Sequence, residues 1–296
     1  MNNKKLKFDW ILFLKGIAMG AADVIPGVSG GTIAFITGIY DDFIDSIKAI
    51  NLKNASLLFQ KKIALFWKKI NGSFLTTLLL GIIISIQSLA RIITFLLDRY
   101  PIPLWAFFFG LILASSVYIL QKISNWNILH FLMLLLGGSI AFSLTVITPM
   151  KTPESLWFIF LCGMISISAM ILPGISGSFI LLILGKYKYI LIATKQLNFL
   201  ILGVFCIGML VGIMSFSRIL SWCLHRYHTL TIALLSGFML GSLPKIWPWK
   251  TAIGNNLINI LTYQEIVGKN PKILIACTCG IIGYLVVHFL HKQTAR

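Results

Sequence analysis

Acidic residues are scarce. The 296 residues hold 8 Asp and Glu against 25 Lys and Arg, and charged residues make up only 11% of the chain. A soluble domain carries about 25%, and a water-soluble globule of this length needs a polar shell that so few charges do not supply. With 58% apolar residues and a mean hydropathy of +0.91, the composition is that of an integral membrane protein. A cytosolic enzyme, a disulfide-stapled secreted module and a disordered chain are excluded together. A metal-binding pattern is missing too. Cys162, Cys206, Cys223, Cys277 and Cys279 all lie in apolar stretches, and no His or second Cys pair completes a zinc spacing around Cys277 and Cys279. They read as small apolar packing residues, and no cofactor is expected beyond a coupling proton or sodium ion.

What is abundant is positive charge, a formal +17. In a soluble protein that excess points to nucleic acid. Here many basic residues flank apolar runs, so anionic phospholipid headgroups are the expected contact and nucleic acid is not. The N-terminus imitates a signal peptide, with Lys4, Lys5 and Lys7 ahead of Trp10 to Met19 and a small-residue Gly20-Ala21-Ala22. Lys15 interrupts that apolar core, and the stretch beyond it is duplicated later, so it belongs to the fold.

The duplication is the informative feature. Ile25–Tyr40 (IPGVSGGTIAFITGIY) aligns with Leu172–Tyr187 (LPGISGSFILLILGKY), with 8 of 16 positions identical, where chance gives about one. Arg91–Ser115 aligns with Arg218–Ser242, matching Arg91 with Arg218 and Arg99-Tyr100 with Arg226-Tyr227. The spacing between copies shortens there because the first carries an extra segment, about Asn51–Asn71. Leu129–Thr148 and Ile273–Leu290 close the two halves. The expected organisation is a first repeat, 1–150, and a second, 151–296, forming one membrane domain.

Each half holds three runs long enough to cross about 30 Å of hydrocarbon: Phe74–Leu97, Pro103–Leu120 and Leu129–Thr148, then Leu197–Leu224, Leu230–Leu243 with flanks, and Ile273–Leu290. Ahead of each trio lies a segment broken by Pro and Gly, expected to form a re-entrant hairpin over 10–47 and over 155–195. Broken backbone at membrane depth is tolerated only inside protein or beside a wet cavity. An odd number of crossings per half makes the second copy enter from the opposite face. The expected fold class is therefore an all-α polytopic membrane protein of two inverted-topology repeats, each a broken-helix hairpin plus three transmembrane helices, as in secondary transporters. With the N-terminus inside, thirteen Lys and Arg face the cytoplasm and nine the other side, which favours that orientation. Residues 51–71 show an apolar stripe (Leu52, Ala55, Phe59, Ile63, Phe66, Ile70) among five lysines. That pattern predicts an interfacial amphipathic helix, or an ordinary amphipathic connector.

The chemistry is expected at the breaks. Gly27, Gly30 and Gly31 let the backbone approach a ligand, the helix that follows presents free N–H groups, and Ser29 and Thr32 add hydroxyls. Gly174, Ser176, Gly177 and Ser178 repeat the arrangement. Two such helix starts converging near the midplane form an anion site, phosphate above all; the alternative is that the glycines only permit close packing. Arg91 and Arg218 sit at matched positions inside apolar runs, where a guanidinium needs a partner or a cavity. They are expected to grip phosphate or to snorkel to the headgroups. Asp23, matched by Met170, is the acid of the first hairpin. It is a candidate to carry the coupling ion, to cap the helix start or to neutralise an arginine.

At Met19-Gly20-Ala21-Ala22-Asp23-Val24-Ile25-Pro26-Gly27-Val28-Ser29-Gly30-Gly31-Thr32, running on to Thr37-Gly38-Ile39-Tyr40, the chain resembles the bacterial polyprenyl-phosphate transporter family. The resemblance covers nearly the whole chain, including the shorter second Pro-Gly-Ile-Ser-Gly. It implies a translocase of the cytoplasmic membrane that returns the undecaprenyl-phosphate carrier from the outer to the inner leaflet for cell-envelope synthesis, with that lipid as the partner. The two motifs alone are carried over from the family; the roles of Arg91, Arg218 and Asp23 are read from the residues themselves. The rival readings are a membrane undecaprenyl-diphosphate phosphatase and a small organic-anion permease. The phosphatase is disfavoured because Gly30 and Gly177 stand where its Ser-Arg signature needs arginine. His130, His225, His228, His288 and His291 all lie outside the breaks, so hydrolysis has no evident base.

Overall fold

The computed structural model describes residues 9–25, 28–250, 258–260, 262–268 and 270–294, and among these it is helical with no strand. The first half contains α1 (Trp10–Asp23), α2 (Gly30–Ile36), α3 (Tyr40–Ala49), α4 (Leu52–Phe59), α5 (Ile63–Lys69), α6 (Gly72–Arg99), α7 (Pro101–Leu120) and α8 (Ile128–Val146). The second contains α9 (Leu156–Ile171), α10 (Gly177–Ile183), α11 (Tyr187–Lys195), α12 (Phe199–Arg226), α13 (His228–Ser242), a 3-10 turn at Leu243–Ile246, α14 (Tyr263–Val267) and α15 (Ile273–Thr294). Among the described residues five helices are long and apolar enough to cross a membrane, or six when the bent α10–α11 pair is one span. The protein is a multi-pass helical membrane protein. At 28 residues, α6 and α12 each reach about 42 Å, longer than the hydrocarbon core.

Local chemistry sets the boundaries. Asp9 caps α1 by accepting from Leu12 N at 3.0 Å, and Pro101 opens α7 where a missing N–H costs nothing. Asn127 and His130 form a reciprocal cap at the start of α8. Ser29 and Ser176 cap α2 and α10 by accepting from Thr32 N and Phe179 N, each at 3.2 Å. Both short helices end at a glycine in the left-handed region, Gly38 at φ 71° and Gly185 at φ 64°, the usual stop for a helix.

Those glycines correct the hairpin expectation. Each broken segment has three helical pieces rather than the two arms expected of a hairpin: a long first helix, a seven-residue helix after the break, and a third helix beyond the glycine. Between α10 and α11 the axis bends by 109°. The expected single helix over 51–71 is also divided, into α4 and α5, because Lys61 adopts φ 57° and turns the chain between them. Its apolar side chains stand open, Leu52 at 82% and Phe59 at 90% exposure.

Packing follows a reciprocal plan. Within the halves α1 lies on α6 and α9 on α12; between them α7 lies on α15 and α8 on α13. Small residues let these backbones touch. A methyl group at Gly16 would collide with the carbonyl of Leu78, one at Gly208 with that of Phe160, one at Gly110 with that of Gly280, and one at Gly137 with that of Leu234. The largest core cluster includes Met19, Ile25, Val28 and Ile33 from the first half and Ile171, Ile175, Leu235 and Met239 from the second. Both breaks therefore lie in the centre of the protein.

Candidate functional site

The first break runs from Val24 to Ser29; its Pro26 and Gly27 lie outside the described residues. Asp23, at the end of α1, reaches across it and accepts from the backbone N–H of Gly30 at 2.6 Å. This is the capping role among the three open to Asp23, and it fixes the start of α2 against the end of α1. Ser29 accepts from Thr32 N and donates to the carbonyl of Leu172 at 3.1 Å. With that proton committed, the 3.2 Å contact between the Ser29 and Thr32 hydroxyls is a donation from Thr32. Thr32 Oγ1 in turn accepts from Gly174 N at 2.8 Å.

The second break is thereby tied to the first. Gly174 has φ 85° and abuts the carbonyl of Phe238, so a side chain there is strained and crowded. Tyr40 donates to the carbonyl of Ile171 at 3.1 Å, and a methyl group on Gly31 would overlap that same carbonyl oxygen. Ser29 and Thr32 are fully buried and Ser176 is buried at 5% exposure. The structure thus brings Ser29, Gly31, Thr32 and Gly174 together, with Gly30, Ser176, Gly177 and Ser178 alongside on their own breaks.

The crossing is packed rather than hollow, which differs from an open pocket between two helix starts. Ser29, Asp23 and Ser176 already occupy N–H groups that a ligand would need. At seven residues each, α2 and α10 also carry little of the dipole that a long helix accumulates. Open space lies to either side. Beside the first break is a chamber of about 390 Å³ walled by Met19, Asp23, Gly30, Phe43, Met170 and Leu210, almost entirely apolar apart from the carboxylate. Beside the second is a cleft of about 220 Å³ walled by Trp105, Ser178, Phe179, Tyr187, Lys245 and Lys250. It adjoins an outer cavity of about 570 Å³ that shares Trp105 and Lys250 and includes Arg99 and Lys272.

Arg91 and Arg218 lie elsewhere. Both are exposed on their helices, neither lines these spaces, and among the described residues neither has an ion pair. Their exposure fits snorkelling. The basic groups that do reach a break are Lys245 and Lys250, neither of which was among the residues expected at the site. Their signal was the alternation Lys245-Ile246-Trp247-Pro248-Trp249-Lys250: aromatic residues between lysines offer both a cation and a surface to hold it. Burial pushes Lys250 down to about 7, and the neighbouring charge of Lys245 adds to that shift.

Residues 19–259 match the model of a family described as undecaprenyl phosphate translocase-like. Two relatives are each named polyprenyl-phosphate transporter. One, from Vibrio cholerae, is 49% identical over 81% of this chain and 78% of its own length. The other, from Staphylococcus aureus, is 36% identical over 82% of this chain and 87% of its own. Both are transporters by name, not enzymes, and no solved structure matches the chain. The match over most of its length places this chain in the undecaprenyl phosphate translocase-like family.

Proposed function

We propose that the protein moves a polyprenyl phosphate lipid from the outer to the inner leaflet of the bacterial cytoplasmic membrane, with its N-terminus in the cytoplasm. The observation that carries this reading is the crossing itself: two broken-helix segments, one from each half, meet through Ser29, Leu172, Thr32 and Gly174 at the centre of a helical membrane protein, with an open chamber on each side. Inverted repeats meeting at such breaks suit alternating access, in which one half rocks against the other. The crossing acts as the gate. When it loosens, the hydroxyls and glycines at Gly27 to Thr32 and at Gly174 to Ser178 pass the phosphate between chambers while the prenyl tail stays in lipid. Arg91 and Arg218, exposed at matched positions of α6 and α12, meet the phosphate before it enters. Asp23 carries the coupling proton or sodium ion in the apolar chamber. The names of the two relatives support the choice of substrate.

The test is leaflet exchange in proteoliposomes. A labelled polyprenyl phosphate is placed in one leaflet, and its arrival in the other is followed with a membrane-impermeant reagent that consumes accessible phosphate. Exchange that depends on the protein and is slower for a two-tailed phospholipid is expected. Equal rates with and without protein would remove the transport reading.

A further inference from the structure

We propose that Lys245 and Lys250 form a phosphate-monoester site in the cleft beside the second break, and that their paired charge selects a monoester over the phosphodiester headgroups of bulk phospholipid. This deepens the transport reading and rests on it.

The cleft is built from three parts of the chain. Trp105 comes from α7, Ser178 and Phe179 from α10, and the lysines from the 3-10 turn after α13 and the strap that follows it. Lys245 is buried at 9% exposure, and its Nζ lies 3.9 Å from the centre of the Phe179 ring. The Nζ of Lys250 lies 3.9 Å from the centre of the Trp105 ring and donates to the backbone carbonyl of Lys245. Aromatic faces and one carbonyl are partial compensation for two like charges held close together.

No carboxylate completes the set. All eight acids of the chain fall in the described residues, and none forms an ion pair with either lysine. Asp98 borders the outer cavity but not the cleft. Two partly buried cations without a counter-anion are costly unless an anion arrives. A phosphate monoester brings a charge of about −1.5 to −2 at neutral pH, which matches two ammonium groups. A phosphodiester brings a single negative charge and a second chain.

The position also suits the route. Lys250 is shared with the outer cavity that includes Arg99 and Lys272, so basic groups lead inward. Lys245 is shared with a small space against Gly174 and Ser242, so the inner end touches the second break. Trp105, Phe179, Leu182 and Tyr187 offer an apolar wall for the chain next to the phosphate.

The experiment uses the full-length protein in nanodiscs. Affinities are measured for farnesyl phosphate, inorganic phosphate and phosphatidylglycerol. Farnesyl phosphate is expected to bind, phosphatidylglycerol not to compete, and inorganic phosphate to bind more weakly for lack of the apolar wall. Lys245→Met and Lys250→Met should each lose roughly tenfold or more in affinity for farnesyl phosphate, with Lys→Arg recovering most of it. A second readout needs no variant: bound farnesyl phosphate should protect both lysines from an amine-reactive label in the native protein, read by mass spectrometry. Undiminished affinity in both Met variants, or full labelling under saturating lipid, overturns the site. Equal competition by phosphatidylglycerol overturns the selectivity, and equal binding of inorganic phosphate makes it a free-phosphate site. If leaflet exchange persists while the lysines prove irrelevant, the site falls and the transport reading stands. If wild-type protein exchanges no polyprenyl phosphate, the transport reading itself falls.

Discussion

The backbone N–H of Gly174 donates to the hydroxyl of Thr32 at 2.8 Å, joining residues 142 positions apart in the chain. It connects a glycine that only a strained backbone position explains to a threonine with no exposed surface. The two broken segments are therefore held by directed hydrogen bonds rather than by side-chain bulk alone. For the crossing to open as the proposed gate, those few polar contacts must break along with the apolar packing of Ile25, Val28, Ile171 and Ile175 around them.

Thr32→Val tests that. The change keeps the shape but leaves the Gly174 N–H without its acceptor and removes the donor to Ser29. An orphaned buried donor costs about 1–3 kcal/mol. The variant is expected to unfold at lower temperature and to exchange lipid between leaflets in an uncoupled way. Thr32→Ser, which keeps the hydroxyl, should stay close to wild type in both measurements. Equal stability of Val and Ser variants would show that the contact is not what closes the crossing.

Gly31→Ala separates the breaks by a different means. The added methyl meets the carbonyl of Ile171, which is backbone and cannot swing away. Overpacking of this kind costs typically about 1–3 kcal/mol. The expected outcome is a folded protein with reduced thermal stability and a Ser29 to Leu172 contact that lengthens in a structure of the variant. An alanine accepted with no change in stability would mean that the halves move apart more easily than the packing implies.

Substitutions at Asp23 separate the cap that it makes to Gly30 from the coupling role proposed for it. Asn at this position still accepts from Gly30, whereas Ala does not. Asp23→Ala is expected to lose about 1 kcal/mol of stability with the lost hydrogen bond, read as a lower unfolding temperature. Asp23→Asn should retain stability and lose the response of transport to an imposed proton or sodium gradient. A gradient response that survives in Asp23→Asn would confine the residue to capping.

Much of this was legible beforehand, for physical reasons that also mark where legibility stopped. Spans such as α7 and α8 announce themselves because crossing hydrocarbon demands an unbroken apolar run. Ser29 and Ser176 were singled out as hydroxyls for a ligand, whereas each accepts from an N–H at the start of its own helix, a short-range partner that a hydroxyl before a helix commonly finds. Gly38 and Gly185 were visible as a matched pair, yet their left-handed turn, and so the third piece of each broken segment, depends on a dihedral angle that composition does not encode. Arg91 and Arg218 were singled out by depth in an apolar run. Periodicity tells which residues share a face of a helix but not which face meets a cleft, and both turned out exposed. Lys245 and Lys250 were hidden by the converse problem: five residues apart in a short strap, they gain their meaning only when α7 and α10 supply Trp105 and Phe179 from distant parts of the chain.

The strap also sets a pH dependence. Burial, then the charge of Lys245, brings Lys250 from 10.5 to about 7. The unfolded chain keeps its proton up to the higher value, so the cost of holding the charge is fully present below pH 7 and fades as pH rises toward 10.5. Lipid-free protein should therefore gain stability between pH 7 and 9, and Lys250→Met should reduce that slope by the share that Lys250 contributes. Lipid affinity should run the other way. Above pH 7 the lysine must take up a proton to meet the phosphate, while below about 6 the monoester loses its second charge. Affinity for farnesyl phosphate is expected to peak between those limits. Calorimetry in buffers of different ionisation enthalpy should register net proton uptake on lipid binding at pH 8, smaller in Lys250→Met. Opposite slopes for stability and affinity, both reduced by one substitution, distinguish a lysine that waits for an anion from one that merely packs against Trp105, for which the affinity limb would be absent.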